Sequence, residues 1–308
     1  MKHVAAIGEC MIEMQPAGDG TYRQSCGGDT LNMAWYLGRI GKAHEIEASY
    51  VTALGQDRFS RAMLEYWQTS GLDTSTVATT EKRNAGLYFA DTDKDGNRDY
   101  TFFRDNSAAR IFFQLPESAE ILEKIQSYDL VYASAISLMI LSNDDRQKLI
   151  ALFKKLRAKG VKTVFDTNYR AAGWGKEEAA AWMTNMMMQS DIVLPTNDEN
   201  QTVFGDETPL ATLERIKALG AKEIIVKCGK KNALIWESGM EKHGEIPPRP
   251  AIKAVDTTAA GDSFNAAYLC GRLLGKTMQE SALWGHKLAA EVIQHRGALI
   301  PLEKIPAL

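Results

Sequence analysis

From about residue 105 onward the chain alternates short apolar runs with amphipathic helical patterns, and this alternation restricts the fold more than any other feature. Asp129 to Ser134, Val161 to Asp166, Asp191 to Leu194 and Glu223 to Lys227 each read as a buried strand. Between them, Asn143 to Lys159 sets Leu149, Leu152, Phe153 and Leu156 at helical spacing, with Asn143 as the expected N-cap and Gly160 as the stop. Lys176 to Gln189 and Thr208 to Leu219 are the next two helical patterns, the second stopped by Gly220. Near-continuous apolar strands separated by crossover helices make βαβ units, whose parallel sheet is covered on both faces. The predicted fold class is α/β.

The first hundred residues break that rhythm. Val4 to Gly8 is a strand, but Cys10 to Arg23 reads as short strands and turns. Thr30 to Ile40 is helical, with Asp29 as its expected cap and Gly41 as its stop. Ala85 to Ala90 and Asp99 to Arg104 flank a turn of Asp, Gly and Asn, the pattern of a hairpin. Two β segments outside the βαβ order predict a small sheet projecting from the main body. The expected division is a large α/β domain of residues 1–9, 24–84 and 105–308, with 10–23 and 85–104 forming a β lid. A chain of 308 residues is long enough for both.

Composition excludes several classes. With 45% hydrophobic and 24% charged residues, global disorder is ruled out. A net charge of −3 argues against a surface built to coat nucleic acid or an anionic membrane. No run approaches the ~20 apolar residues of a spanning helix. The N-terminus reaches Glu9 too soon for an export signal, and Cys10, Cys26, Cys228 and Cys270 show no metal spacing. Free thiols in a reducing cytoplasm are expected.

Two motifs mislead. Gly271 to Thr277 imitates a phosphate-binding P-loop, but only three residues separate its glycines, and it follows a helical pattern. Asp91, Asp93, Asp95 and Gly96 imitate half an EF-hand, yet Phe102 stands where the closing Glu belongs. A helix end and a hairpin turn account for these two stretches. The five histidines form no HExxH pair, and no GxGxxG occurs.

Two other stretches carry chemistry. Asp256-Thr257-Thr258-Ala259-Ala260-Gly261-Asp262-Ser263 packs small residues before a helix that begins near Gly261. N–H groups at a helix N-terminus stabilise anionic charge, and a carboxylate beside them is placed to take a proton from an attacking hydroxyl. Near the other end of the chain, Gly27-Gly28-Asp29-Thr30-Leu31-Asn32 lets a ligand lie against backbone, with Asn32 able to hydrogen-bond a polyol.

Together these stretches resemble the carbohydrate kinases of the ribokinase, or PfkB, family over the whole chain. The resemblance implies a ribokinase-like fold, with a mostly parallel sheet and a β lid, and use of ATP with Mg²⁺ (K⁺ being a further candidate cation). It implies Asp262 as catalytic base and Ala259, Ala260 and Gly261 as the anion hole. Gly27, Gly28 and Asn32 would contact the sugar. Asn197, Lys227, Gly229, Ala259 and Gly261 would contact ATP, and Asn197 and Glu199 would organise Mg²⁺ through water. Four positions depart from the pattern. Ala259 replaces a glycine, which is tolerable at negative φ. Asn200 replaces the Glu of an N-x-x-E motif, Glu13 stands where many relatives have a sugar-binding Asp, and Asn232 replaces a glycine.

Within the family the chain is most similar to kinases of 2-keto-3-deoxygluconate, on Gly28, Tyr88, Phe102-Phe103-Arg104 and Asp166-Thr167-Asn168-Tyr169-Arg170. That likeness implies substrate contacts from Tyr88, Phe102, Arg104, Asn168, Arg170 and Asp262, with Arg104 and Arg170 facing the carboxylate. Guanidinium groups bind carboxylates bidentately. Local alternatives are an exposed strand position for Arg104 and an Arg170–Asp166 pair. The partners expected are a sugar acid, ATP and a second copy of the chain through the lid, with no nucleic acid and no membrane. Competing readings are a neutral-sugar kinase such as a fructokinase, and a non-catalytic sugar or nucleotide sensor.

Overall fold

The computed structural model describes residues 1–92, 98–249 and 254–308. The chain opens with β1 (Lys2–Ile7), β2 (Met11–Gly18), β3 (Thr21–Gly27) and α1 (Asp29–Gly41). Next come β4 (Ile46–Gly55), α2 (Arg58–Thr69), β5 (Val77–Thr80), β6 (Gly86–Thr92) and β7 (Arg98–Phe103). The middle third holds α3 (Ser118–Lys124), β8 (Leu130–Ser134), α4 (Ala135–Met139), α5 (Asn143–Ala158), β9 (Lys162–Asp166), α6 (Lys176–Met187) and β10 (Ile192–Leu194). The chain continues through α7 (Asn197–Phe204), α8 (Pro209–Ala218), β11 (Glu223–Val226), β12 (Ala233–Glu237) and β13 (Gly244–Ile246). Two packed helices, α9 (Ala260–Leu273) and α10 (Met278–Val292), follow.

Nine strands form one sheet in the order β13-β12-β11-β10-β9-β8-β1-β4-β5. Every pairing from β11 to β5 is parallel, and the antiparallel pairings, β11–β12 and β12–β13, lie at one edge. Side chains alternate between the faces of a strand, so a covered sheet needs apolar residues at consecutive positions. β9 shows this directly: Val164 packs into the core beneath α1 and α9, while Phe165 packs into the opposite core with Leu149 and Phe153 of α5. In β1, Val4 and Ala6 face the first core, and Ala5 and Ile7 the second. Each Val, Ile, Leu or Phe among them contributes roughly 1.5–3 kcal/mol on leaving water.

Helix starts follow the cap chemistry with one-residue shifts. Thr208 caps α8 by accepting the Ala211 N–H, as a short β-region hydroxyl should. Ser142 caps α5, and Asn143 is that helix's first residue rather than its cap. Asp29 likewise does not cap α1; Gly28 does, without a side-chain bond. The Asp29 carboxylate instead accepts from Asn168 at 2.7 Å, across the site.

A second sheet has the order β3-β2-β6-β7, with β2 and β6 parallel. It is built from both segments that stood outside the βαβ rhythm. Its β3 strand runs on to Gly27, past the boundary expected at residue 23. Alternation gives this sheet two aromatic faces. Tyr88, Tyr100 and Phe102 cluster on one, while Tyr22, Phe89 and Phe103 cluster on the other. Residues Asp93, Asp95 and Gly96 of the EF-hand imitation lie outside the described residues. At the P-loop imitation, α9 ends at Leu273 and Gly275 follows with φ of 78°, the left-handed turn that closes a helix.

Candidate active site

Parallel strands deliver the residues that follow them to one edge of the sheet, and ligands of such sheets gather there. Here that edge opens into a cavity of about 1710 Å³ between the strand ends, the N-terminus of α9 and the inner face of the small sheet. Glu9 follows β1, Asn168 and Arg170 follow β9, Thr196 and Glu199 follow β10, and Lys227 and Gly229 follow β11. Gly27, Gly28 and Asn32 enter from β3 and α1, and Tyr88, Phe102 and Arg104 from the small sheet and its end. Ala259, Ala260, Gly261 and Asp262 complete the wall at the start of α9.

Asp262 sits in the first turn of α9, 9% exposed, and its Oδ2 accepts the Asn32 amide at 2.8 Å. Burial, with Asp29 and Asp166 nearby, pushes this carboxyl up to about 7, although the Asn32 bond and Arg170 pull it down. A carboxylate with that value exchanges a proton near neutrality, as a general base must. Asn32 Oδ1 has no partner in the protein and is buried at the cavity wall, a site suited to a ligand hydroxyl.

The first N–H groups of a helix have no intrahelical acceptor, so the start of α9 presents donors and the positive end of its dipole to the cavity. The turn that aims them carries strain. Ala259 adopts φ 59° and ψ 12°, so the negative φ expected of an alanine at this glycine position is not found. The chain must reverse into α9 there, and Ser263 donates to the Ala259 carbonyl through both its N–H and its hydroxyl, holding the turn closed.

Arg104 is not a free receptor: its guanidinium is paired with the fully buried Glu9 carboxylate at the cavity wall. Arg170 is 56% exposed and makes long contacts at 3.3 and 3.4 Å to the Tyr169 carbonyl and Glu199, leaving donors spare. Asp166, the alternative partner of Arg170, bonds Lys227 instead at 3.0 Å.

The N-x-x-E reading shifts by one residue. Asn200 is fully buried, donating to Thr167 and the Thr196 carbonyl and accepting from Arg215, so it supports the loop from beneath. Asn197 lies outside the cavity wall, its amide against Asp198. Glu199 faces the cavity as expected, with Thr196 in place of Asn197, because the two fall one turn apart at the start of α7. Burial and Asp166 raise the Glu199 carboxyl to about 7. Glu13 also leaves the site: it is buried, accepts from Ser25 at 2.6 Å and lines a separate cavity. The glycine pair answers to packing as much as to ligand, since a Cβ on Gly28 would sit 2.2 Å from the Glu9 carbonyl oxygen.

Sequence reasoning missed Glu9, Asp29, Arg110 and Arg296, all of which line the cavity. Asp29 carries a signal, an acidic residue beside the glycine pair, but the same residue type also suits a helix cap. Arg110 and Arg296 lie in a 3-10 turn and in the loop beyond α10, where no periodicity marks them. Among the described residues no three His, Cys, Asp or Glu groups close a metal site.

The profile of the family described as "pfkB family carbohydrate kinase" matches residues 1–305. A 2-dehydro-3-deoxygluconokinase of Haemophilus influenzae is 42% identical over 301 residues, covering 97% of this chain and 96% of the relative. One from Escherichia coli K12 is 40% identical over 309 residues, 99% of each chain. Among solved structures, a 2-dehydro-3-deoxygluconokinase from Thermotoga maritima superposes with TM-score 0.82 at 21% identity, covering 99% of this chain and 97% of that one. A fructokinase with bound ATP from Xylella fastidiosa gives TM-score 0.82 at 19% identity, covering 99% and 95%. At those identities the two structures establish the fold alone.

The Ala259 turn generates the first prediction. Relief of ~1–2 kcal/mol of left-handed strain, less ~0.5–1 kcal/mol for the entropy of glycine, leaves Ala259→Gly more stable by about 0–1.5 kcal/mol. Urea unfolding measures this, and a less stable variant would contradict the strained turn.

Proposed function

The chain belongs to the pfkB family of carbohydrate kinases, and from that premise we propose that it transfers the γ-phosphoryl group of ATP to the 6-hydroxyl of 2-keto-3-deoxygluconate. The products are ADP and 2-keto-3-deoxy-6-phosphogluconate. The observation that carries the reading is Asp262: a buried carboxyl raised to about 7, in the first turn of a helix whose N-terminus opens into the cavity.

The chemistry divides among this chain's own groups. Asp262 takes the proton of the 6-hydroxyl as that oxygen bonds the γ-phosphorus and the bond to the β–γ bridging oxygen breaks. The Gly261 N–H faces the charge that develops on the transferred group, whereas the Ala260 N–H, expected to join it, already donates to the Thr257 carbonyl at 3.3 Å. Asn32 holds the Asp262 carboxylate in place by its 2.8 Å bond. Arg170 takes the substrate carboxylate, since the charge of Arg104 is already offset by Glu9. Tyr88 and Phe102 close over the sugar from the small sheet, which acts as a lid.

A divalent cation fits beside Glu199. Its carboxyl and that of Asp166 lie close enough for one to raise the other, and Mg²⁺ favours one or two carboxylates, water and phosphate oxygens over a full protein cage. Bound there with ATP, it would neutralise phosphate charge. Other parts of the reading follow from the surface. Tyr22 and Phe103, 47% and 61% exposed on the outer face of the lid, suit pairing with a second copy. No helix among the described residues is long and apolar enough to cross a membrane. With four free cysteines, the proposed location is the cytoplasm.

Two predictions test this. Asp262 must be ionised to accept a proton, and its folded value of about 7 lies above the ordinary carboxylate range. Thus kcat/KM for the keto-acid should be full above pH 7 and fall about tenfold per unit below it, and Asp262→Asn should cost ~10²–10⁴-fold in kcat. A pH-independent wild type, or an active Asn variant, would remove Asp262 from the base role. For Arg170, loss of charged hydrogen bonds worth ~1.5–3 kcal/mol should lower kcat/KM for the keto-acid in Arg170→Lys by about one to two orders of magnitude. Activity on fructose, which has no carboxylate, should change far less; equal losses would assign Arg170 to phosphate or to structure.

A further inference from the structure

We propose that Asp166 is a positioning residue for phosphoryl transfer: it holds the Lys227 ammonium against the N-terminus of α9, where that charge meets the oxygens of the group in transit. The proposal rests on the kinase reading and deepens it.

The geometry is specific. Asp166 ends β9 and Lys227 follows β11, so the two side chains reach toward each other past the end of β10. Lys227 Nζ donates to Asp166 Oδ1 at 3.0 Å and to Asn265 Oδ1 at 3.2 Å. The other oxygen of Asp166 accepts from Tyr132 at 3.1 Å and from Asn265 at 2.8 Å. The carboxylate is thus clamped from β8 and α9 as well as by the lysine. The Lys227 and Asp166 side chains are only 12% and 3% exposed.

Lysine is a long, flexible side chain that ordinarily carries its charge out to water. Here it is kept inside, and a Cβ added to Gly261 would lie 3.8 Å from its ammonium. That places a full positive charge beside the positive end of a helix dipole, an arrangement that repels itself in the absence of an anion. Asp166 offsets the repulsion from the far side, leaving the face toward the cavity for phosphate oxygens. An ammonium so held needs no rearrangement as charge shifts toward the transferred group, which is the condition for strong electrostatic stabilisation.

The same carboxylate has a second, separable effect. Asp262 is faced by Asp29 on α1, Tyr36 on α1, Tyr132 on β8, and Asp166 and Arg170 at the end of β9. Asp166 is one of the charges that hold the base high, so its removal lowers the value for Asp262. A residue that merely supported the fold would leave that titration where it is.

The test uses wild type, Asp166→Asn, Lys227→Met, the double variant and Lys227→Arg, assayed with MgATP and the keto-acid across pH. Each single neutral variant should lose about 10–100-fold in kcat, with KM for the keto-acid within about threefold. The double variant should be no worse than the poorer single, because both remove one device. Lys227→Arg should recover part of the loss, and the acid limb of kcat/KM in Asp166→Asn should move to lower pH. Losses that multiply, a Lys227→Met enzyme within threefold of wild type, or an unmoved acid limb would overturn the proposal. Should Asp166→Asn not fold, Asp166→Glu keeps the charge and displaces the ammonium. A fall in its kcat at unchanged melting temperature then supports the proposal, and wild-type kcat overturns it. Wild type inactive on the keto-acid would instead end the kinase reading.

Discussion

The structure turns on a small polar knot buried where the sheet meets α9. Asp166 from β9, Tyr132 from β8, Asn265 from α9 and Lys227 beyond β11 share five hydrogen bonds of 2.8 to 3.2 Å. Buried polar groups are costly when unpaired, so these four must meet in one arrangement. That arrangement sets the helix N-terminus over the carboxyl ends of the strands. The first turn of α9, the Asp262 carboxylate and the cavity floor all take their positions from it.

Around the knot the site concentrates like charges at short range. Asp29, Asp166, Glu199 and Asp262 all reach the same cavity, and burial raises three of them above the ordinary range. Such a cluster is unfavourable by itself and is balanced by Lys227, Arg170 and the amides of Asn32 and Asn168. The balance has a chemical use. It holds the Asp262 and Glu199 carboxyls near neutrality, as the proposed proton acceptor and the proposed partner of a divalent ion require. Glu9 and Arg104, paired at the base of the small sheet, carry an equivalent internal compensation.

Much of this was legible in residue order. The β8–β11 strands and the helices between them follow from patterns that local physics enforces, a period near 3.6 for a helix on a sheet and continuous apolar runs for strands covered on both faces. The strand–turn content of 10–23 and the hairpin near 85–104 were legible because both lack helical periodicity. What lay beyond reach was pairing at long range. β5 escaped because a four-residue edge strand leaves little local mark, and the side chain of Asp29 turned away from its own helix toward Asn168, 139 residues later. Glu199 was legible beside Asn200, but the replacement of Asn197 by Thr196 at the cavity wall depended on where α7 begins, and helix boundaries are weakly encoded. The conformation of Ala259 was likewise set by the reversal into α9, against the preference of alanine itself.

The sequence alone determined the α/β class, the β insertions, and the two stretches, Gly27 to Asn32 and Ala259 to Asp262, that meet at the cavity. Each rests on neighbours within a few residues, where propensity, period and backbone sterics act. Only the tertiary structure decided which carboxylates face one another, that Glu9 occupies Arg104, and that Asp166 belongs to Lys227 rather than to Arg170. Burial and charge separation set those outcomes, and both are properties of distance in space, which the order of residues along the chain does not contain.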